Sequence, residues 1–272
     1  MSSDAGAGAG ARYPDAVYDP RYGSGRYRRA IVLHRDSPRC VCAAVEDDPH
    51  AFSVTLEHDG ERITAIAAHA ERYPLTTCPE ATQELHSLVG APLSDPLRTL
   101  GRWQNPRRHC THLFDLAALA MVHARRGSRE RRYDVTIPDV IDGRTVATLD
   151  CDGTRVLEWT LENNVIVAPG LYAGQKVFGG FTGWARTALD DTGFEYAFVL
   201  QRGFFVALSR VFDEEAVPPG PASLDPMRPD SCYSYSALHS SRAWRVPRNR
   251  RDFTAAGSEA LLRWFDPATP SG

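Results

Sequence analysis

The sequence of 272 residues contains very little lysine, since Lys176 is the only one among 31 basic residues. An enzyme that needs a lysine as a Schiff-base partner or as a general base would have to use this single residue. A net charge of -3 provides no basic field for nucleic acid. No apolar run of about 18 residues could span a membrane. The sequence therefore disfavours pyridoxal-type chemistry and predicts neither a nucleic-acid partner nor a membrane partner.

Several familiar catalytic signatures are also absent. The chain has no G-x-S-x-G elbow, no H-E-x-x-H helix and no phosphate-binding P-loop. Its six cysteines include no C-x-x-C pair and are too few for a disulfide scaffold. The first residues lack the apolar core of a signal peptide. We therefore predict a cytoplasmic protein with reduced thiols, outside the common serine hydrolases, zinc proteases and nucleotide triphosphatases.

Two strand-rich regions, each followed by helical segments, organise the chain. Asp59-Gly60 and Asp152-Gly153 have the turn chemistry of β-hairpins and lie between β-rich runs. This pattern predicts an α+β fold with two antiparallel hairpin-based sheets, each followed by helices, packed as one unit. The expected division is a disordered lead-in over 1–25, an N-terminal half over 26–130, a C-terminal half over 131–254 and a tail over 255–272.

Three segments carry helical signals of different strength. "CPEATQELHSLVG" predicts an amphipathic helix, with Pro79 in its first turn and Gly90 at its end. Asn105-Pro106 predicts the start of a second helix that continues through the apolar "LAALAMVHA". In "EYAFVLQRGFFVALSR" the apolar residues are too continuous to distinguish a helix from a strand.

The segment "RRHCTHLFD" concentrates reactive side chains at the start of this second helix. If the helix runs from Asn105, Cys110 and His112 lie on nearly opposite faces, whereas His112 and Asp115 share one face. A carboxylate beside an imidazole fixes its tautomer and raises its basicity, which suits general acid/base catalysis. In the alternative interpretation, Asp115 stabilises the helix N-terminus and His112 bonds to a loop carbonyl.

The thiols allow two further interpretations. Cys110 is either a thiolate stabilised by the helix start and by Arg107 and Arg108, or a small core residue. Cys78, Cys110, His112 and Cys232 could together hold zinc, although only two of them are close in sequence. The turn "EDDPH", which ends at His50, could also furnish carboxylate and imidazole ligands, and it is equally compatible with a hydrated turn.

Several segments, taken together, resemble the bacterial family known as domain of unknown function 2889. They include "AVEDDPHAFSVTLEHDGERITAI", "HCTHLFDLAALA", "FEYAFVLQRGFFVALSR" and "CYSYSALHSSRAWR", and with the other matching segments they span roughly residues 27–253. The resemblance implies a cytoplasmic bacterial protein associated with catabolic or specialised-metabolism genes for acyl or aromatic compounds, and it implies no established reaction. The positions to which it gives weight are Cys78, Cys110, His112, Asp115 and Cys232.

These observations lead to two hypotheses about function. The first is a small-molecule enzyme of hydrolase, isomerase or cyclase type that needs no cofactor, in which His112 carries the proton, Asp115 orients it and Cys110 assists. Its substrate would be bound by Arg107, Arg210 and Tyr233. The second is a non-catalytic binding or scaffold protein with a structural Cys/His zinc site. Whether the chain forms a homo-oligomer is left open.

Overall fold

The computed structural model describes residues 17–217, 219–225 and 230–267. Most of the predicted disordered lead-in falls on residues 1–16, which lie outside the described residues. The chain forms two compact units. Within the described residues, unit 1 comprises 17–29, 133–217 and 252–255, and unit 2 comprises 30–132, 219–225, 230–251 and 256–267.

Eight strands form one sheet in the order β4-β3-β2-β1-β5-β6-β7-β8. The antiparallel hairpins expected at Asp59-Gly60 and Asp152-Gly153 are present as β3–β4 and β6–β7. The strand bounds are β1 Arg26–Ser37, β2 Cys40–Asp47, β3 Ala51–His58, β4 Ile63–Arg72, β5 Glu130–Pro138, β6 Arg144–Cys151, β7 Thr154–Glu162 and β8 Val165–Ala168.

This topology confirms the predicted α+β class and corrects the expectation of two sheets. β1 and β5 are hydrogen-bonded neighbours, so the two strand-rich regions contribute to a single sheet. The physical reason is that two separate sheets would have four edges with unpaired backbone groups, whereas one sheet has two. Among the described strands, these edges are β4 and β8.

Five α-helices accompany the sheet in the described residues. Each of them is too short or too polar to cross a membrane. The predicted "CPEATQELHSLVG" helix is only partly α-helical, because its single α-helical turn lies between two 3₁₀ turns, Cys78–Glu80 and Leu85–Leu88. The helix bounds are α1 Ala81–Glu84, α2 Pro96–Trp103, α3 Thr111–Ala124, α4 Phe181–Ala188 and α5 Asp191–Ala207.

In unit 2 the core forms where α3 packs against β2 and β3. Seven consecutive positions of β2 are buried, which is typical of a strand covered on both faces. α3 is apolar almost all round, and its residues Leu116–Met121 are all buried. A helix of this composition is stable only when it is enclosed on most sides. The packing fixes the N-terminal end of α3 relative to the strands beneath it.

In unit 1 the undecided run "EYAFVLQRGFFVALSR" is helical, and most of it belongs to α5. α5 packs against β6 and β7. The Asp190 side chain caps α5 by accepting a hydrogen bond from the backbone of Gly193 at 2.7 Å. Gly203 allows a close approach to β5, since a Cβ at this position would lie 2.9 Å from Cγ1 of Val135. Packing against the sheet therefore stabilises this segment as a helix, which its own sequence pattern did not decide.

Candidate active site

The turn between β2 and β3 positions a buried carboxylate beside an imidazole. The backbone of Asp47 donates to the carbonyl of His50 at 2.9 Å and closes the turn. Oδ1 of Asp47 in return accepts the backbone N–H of His50 at 2.9 Å and lies 2.9 Å from Nδ1 of the same residue. Asp47 is completely buried, and the side chain of His50 is 12% exposed. The local sequence thus fixes a His-carboxylate pair in one tight turn.

Arg72, at the end of β4, holds this turn rigidly from inside the protein. Its guanidinium donates to the carbonyl of Asp47 at 2.8 Å, to that of His50 at 3.3 Å and, by a short contact, to that of Asp48. It also bonds to the Glu46 carboxylate at 2.9 Å. Arginine suits this position because its planar fork of donors can satisfy several acceptors at once.

The C-terminal part of unit 2 covers the same turn. Nδ2 of Asn249 donates to the carbonyl of Pro49 at 2.8 Å, and the backbone of Arg251 donates to that of Asp48 at 2.9 Å. The backbone N–H of Leu262 lies 2.5 Å from the Glu46 carboxylate. Because the carbonyls of the turn all have donors, the Asp47 and His50 side chains extend from a backbone with little freedom to move.

His112 completes the group from the first turn of α3. Its ring packs on that of His50, with centroids 3.7 Å apart and planes inclined by 32°. The buried ring of Phe52 lies 6.1 Å from that of His112 and supports the pair. One ligand atom from each of Asp47, His50 and His112 lies within 4.8 Å of the others. His112 is partly buried, whereas Asp47 is completely buried.

The chemistry of the group follows from its hydrogen bonds. An ionised carboxylate can only accept, so the contact with Asp47 places the proton of a neutral His50 ring on Nδ1. Nε2 of that ring is then the basic atom. A second imidazole stacked on the first provides another proton carrier at van der Waals distance. The arrangement is suited to general acid/base catalysis or to metal ligation.

The helix that presents His112 starts later than predicted. Asn105 does cap a helical segment, by accepting the backbone N–H of Arg107 at 3.1 Å, but that segment is a 3₁₀ turn of three residues. The α-helix begins at Thr111 with Cys110 as its N-cap residue. The chain is extended at His109 and Cys110, which interrupts the helical repeat assumed in the sequence. The opposite faces expected for Cys110 and His112 therefore do not apply, whereas His112 and Asp115 still lie three residues apart within α3.

Cys110 and His112 have different surroundings. Cys110 is 6% exposed, and burial raises the pKa of its thiol, an effect to which nearby Cys78 and Cys232 add. The environment thus disfavours the thiolate that a nucleophile requires. Asp115 lies one turn beyond His112 and is partly buried. Its pairing with His112 and the catalytic role of Cys110 stay predictions.

The predicted zinc ligands are divided between two places. Sγ of Cys78 lies 3.5 Å from Oγ of Ser234, and burial raises the pKa of this thiol to about 11. His112 instead contacts His50. In the described part of the chain, Asp47, His50 and His112 are the one set of three ligands whose atoms lie within 4.8 Å of one another. Zinc binding by Cys78, Cys110, His112 and Cys232 stays a prediction.

The three predicted substrate-binding residues make other contacts. Arg107 is exposed in the 3₁₀ turn before α3. Arg210 belongs to unit 1, where its Nε lies 2.8 Å from the buried Asp139 carboxylate. The Tyr233 ring stacks on that of His239 with centroids 3.9 Å apart. Their role in substrate binding stays a prediction.

A family match covers the part of unit 2 that carries the group. Residues 37–125 match the family described as Protein of unknown function (DUF2889). Over this segment the chain is similar to that family. It contains Asp47, His50 and His112, whereas Cys232 lies outside it. No curated protein matches the chain. The resemblance over residues 126–253 stays a prediction.

The sequence identified His112 and the "EDDPH" turn as separate candidates and did not connect them. Asp47 and His50 are more than 60 positions away in the chain, so no local spacing connects them to α3. The structure adds that the charged side chains of this turn are buried, since Asp47 and Asp48 are at most 1% exposed. Arg72 carries no sequence signal of its own.

Proposed function

We propose that this protein is an enzyme that acts on a small molecule by acid/base catalysis at Asp47, His50 and His112. The observation that supports it is the 2.9 Å contact between Oδ1 of Asp47 and Nδ1 of His50, next to the stacked ring of His112. A partner carboxylate on one nitrogen makes the other nitrogen of an imidazole a better base. In this proposal His50 is the general base and His112 the second proton carrier.

The reaction class follows from what two imidazoles and a carboxylate can do. They can take a proton from water or from a carbon acid and return it to a leaving group, which serves hydrolysis, isomerisation or cyclisation. The proposed substrate is an acyl or aromatic compound of bacterial catabolic or specialised metabolism, handled in the cytoplasm.

The decisive experiment compares single variants on a panel of acyl esters, acyl thioesters and aromatic lactones. His50→Ala and His112→Ala are expected to lower kcat/KM by about 100-fold or more, the usual contribution of a general acid or base. His69→Ala, on the exposed surface of β4, is the matched control and should retain full activity. Melting temperatures show that each variant is folded. Full turnover by a folded His112→Ala protein would refute the proposal.

Cys110→Ala separates acid/base from thiol-assisted chemistry. Because Cys110 is buried and its pKa is raised, we expect the folded variant to retain most of its activity. Loss of turnover in this variant, with activity retained by His112→Ala, would move the chemistry from the imidazoles to the thiol.

A second candidate function is a non-catalytic binding or scaffold protein with a structural Cys/His zinc site. The observation that favours it is the mutual proximity of the buried thiols of Cys78 and Cys110 and the partly buried thiol of Cys232, which come from separate segments. Stoichiometric zinc that is lost in Cys110→Ser together with the folded state would support this function. Protein that folds equally well without zinc would exclude it.

A further inference from the structure

We propose that Asp47, His50 and His112 bind a divalent transition-metal ion of the Zn²⁺ type. The proposal goes beyond the proposed function, because an imidazole that ligates an ion is no longer free to accept a proton as a general base. The donor set is one carboxylate oxygen and two imidazole nitrogens. Such sets bind first-row divalent ions in proteins, and three protein ligands leave a coordination position open for water or substrate. This composition is that of a catalytic metal site.

The distances between the three donors suit a shared ion after small side-chain movements. Zinc lies about 2.0–2.2 Å from nitrogen and oxygen ligands, so tetrahedral neighbours are about 3.4 Å apart. The three donor atoms are already within 4.8 Å of one another. Rotation of the stacked His50 and His112 rings about their side-chain bonds changes the nitrogen positions without moving the backbone.

The rigid turn that carries Asp47 and His50 favours binding. Metal sites need ligands that are already oriented, because each side chain that is ordered on binding costs free energy. Arg72 and Asn249 hold the carbonyls of this turn through bonds of 2.8–3.3 Å. The bond from the backbone N–H of His50 to Oδ1 of Asp47, at 2.9 Å, additionally orients the carboxylate.

The hydrogen bond between Asp47 and His50 must be replaced when the ion binds. The ion displaces the Nδ1 proton and takes its place between Oδ1 of Asp47 and Nδ1 of His50. This mode requires neutral imidazoles, so binding releases protons or weakens as the pH falls. His112 is then a direct ligand. Its removal is therefore the most informative change.

The choice of imidazole and carboxylate ligands distinguishes this site from the thiols of the same unit. Cys78, Cys110 and Cys232 would supply soft thiolate ligands, but burial raises the pKa of each thiol and so disfavours the ionised form. Cobalt(II), a spectroscopic substitute for zinc, gives an intense near-ultraviolet sulfur-to-metal charge-transfer band only when thiolates are ligands. The presence or absence of this band therefore shows whether the thiols or the Asp47, His50 and His112 side chains bind the ion.

The test uses the full-length chain, stripped with a chelator, kept reduced and titrated with ZnCl₂ or CoCl₂. We expect one ion per chain, a cobalt spectrum without the thiolate band, and affinity lowered by at least about 100-fold in His50→Ala and His112→Ala. Cys110→Ala and His69→Ala are the matched controls and should bind as tightly as the wild type. His112→Gln, which preserves side-chain bulk, serves if His112→Ala does not fold.

Each other outcome has a defined meaning. Binding that survives in folded His112 variants, or that disappears in Cys110→Ala with a thiolate band in the wild type, would overturn the metal proposal. The absence of stoichiometric binding would also overturn it. If the metal-free wild type turns over a substrate and the metal-free His112→Ala variant does not, the acid/base function stands without a metal. If zinc binds through His112 and no substrate is turned over, the metal site stands and the proposed function fails.

Discussion

The buried carboxylate of Asp47 and the imidazole of His50 are joined twice, since Oδ1 of Asp47 lies 2.9 Å from both the backbone nitrogen and Nδ1 of His50. The bond to the backbone nitrogen stabilises the turn, and the bond to Nδ1 orients the imidazole of the candidate site. The geometry of the site is therefore set by the same interaction that closes the turn. A change at Asp47 should consequently be detected at the His50 ring.

Asp47→Asn is expected to weaken the preference of His50 for a proton on Nδ1, because a neutral amide accepts a hydrogen bond less strongly than a carboxylate. The measurement is the pair of imidazole ¹⁵N shifts of His50 in a labelled protein. Asp59→Asn is the matched control, since the Asp59 carboxylate lies in the β3–β4 turn and accepts the backbone N–H groups of Glu61 and Arg62. Unchanged His50 shifts in Asp47→Asn would contradict the orienting role of this carboxylate.

Arg72→Met should reduce the free energy of unfolding by about 3–5 kcal/mol, the usual cost of removing one partner of a buried ion pair. The Arg72 side chain is 10% exposed, and its loss leaves the buried Glu46 without this partner. The control is Arg144→Met, because Arg144 pairs with Glu162 on the surface and is 72% exposed. It should cost less than about 1 kcal/mol. Urea unfolding monitored by tryptophan fluorescence gives both values, and equal effects would show that Arg72 does not hold the turn.

Gly203→Ala and Gly183→Ala should change stability in opposite directions, although both residues lie in helices. A Cβ at Gly203 would lie 2.9 Å from Val135, which should cost about 1–3 kcal/mol through overpacking. A Cβ at Gly183 meets nothing within 4 Å, so that change should gain up to about 1 kcal/mol from helix propensity. Thermal unfolding checks both, and Val135→Ala should restore part of the loss. Stabilisation by Gly203→Ala would contradict the close contact between α5 and β5.

The buried thiols should react slowly with Ellman's reagent at pH 8. With a pKa of about 11, Cys78 has about one thiolate in a thousand at that pH. Burial also raises the pKa of Cys110 and Cys232. The urea-unfolded protein is the reference, and we expect its thiols to react at least about 100-fold faster. A rapidly reacting thiol in the folded protein that disappears in Cys110→Ala would support a nucleophilic Cys110 instead.

Acid should destabilise the protein through its buried histidines. Burial lowers the pKa of His109 and His123 from the ordinary value of 6.5. The unfolded chain therefore binds more protons than the folded one just below pH 6.5, so the free energy of unfolding falls as the pH drops from there toward the lower, folded-state values. Melting temperatures between pH 8 and pH 4.5 measure this slope.

His123→Gln should make this slope shallower, even if it lowers stability at pH 8 by removing the contact of Nε2 with the Arg129 carbonyl at 3.3 Å. His69→Gln makes the same chemical change on a side chain that is 45% exposed and serves as the control. An identical acid slope in the wild type and in His123→Gln would show that this histidine does not contribute.

The local parts of the fold were predictable because their causes are local. Asp59-Gly60 and Asp152-Gly153 form hairpin turns since Gly60 and Gly153 adopt positive φ angles of 107° and 79°, which other residues avoid. The apolar run within α3 was also predictable, because it follows a helix-start signal at Asn105-Pro106 within a few residues. The segment that became α5 was ambiguous, because it is apolar on all sides and its periodicity could not distinguish a helix from a strand.

By itself, the sequence determined the α+β class, both hairpins and the presence of His112 at the start of a buried helix, because turn chemistry and hydrophobic patterning act over a few residues. Tertiary structure alone decided that the strands form one sheet and that His112 meets His50 and Asp47. Both outcomes depend on contacts between segments far apart in the chain, where backbone pairing and burial of a whole helix outweigh any local spacing.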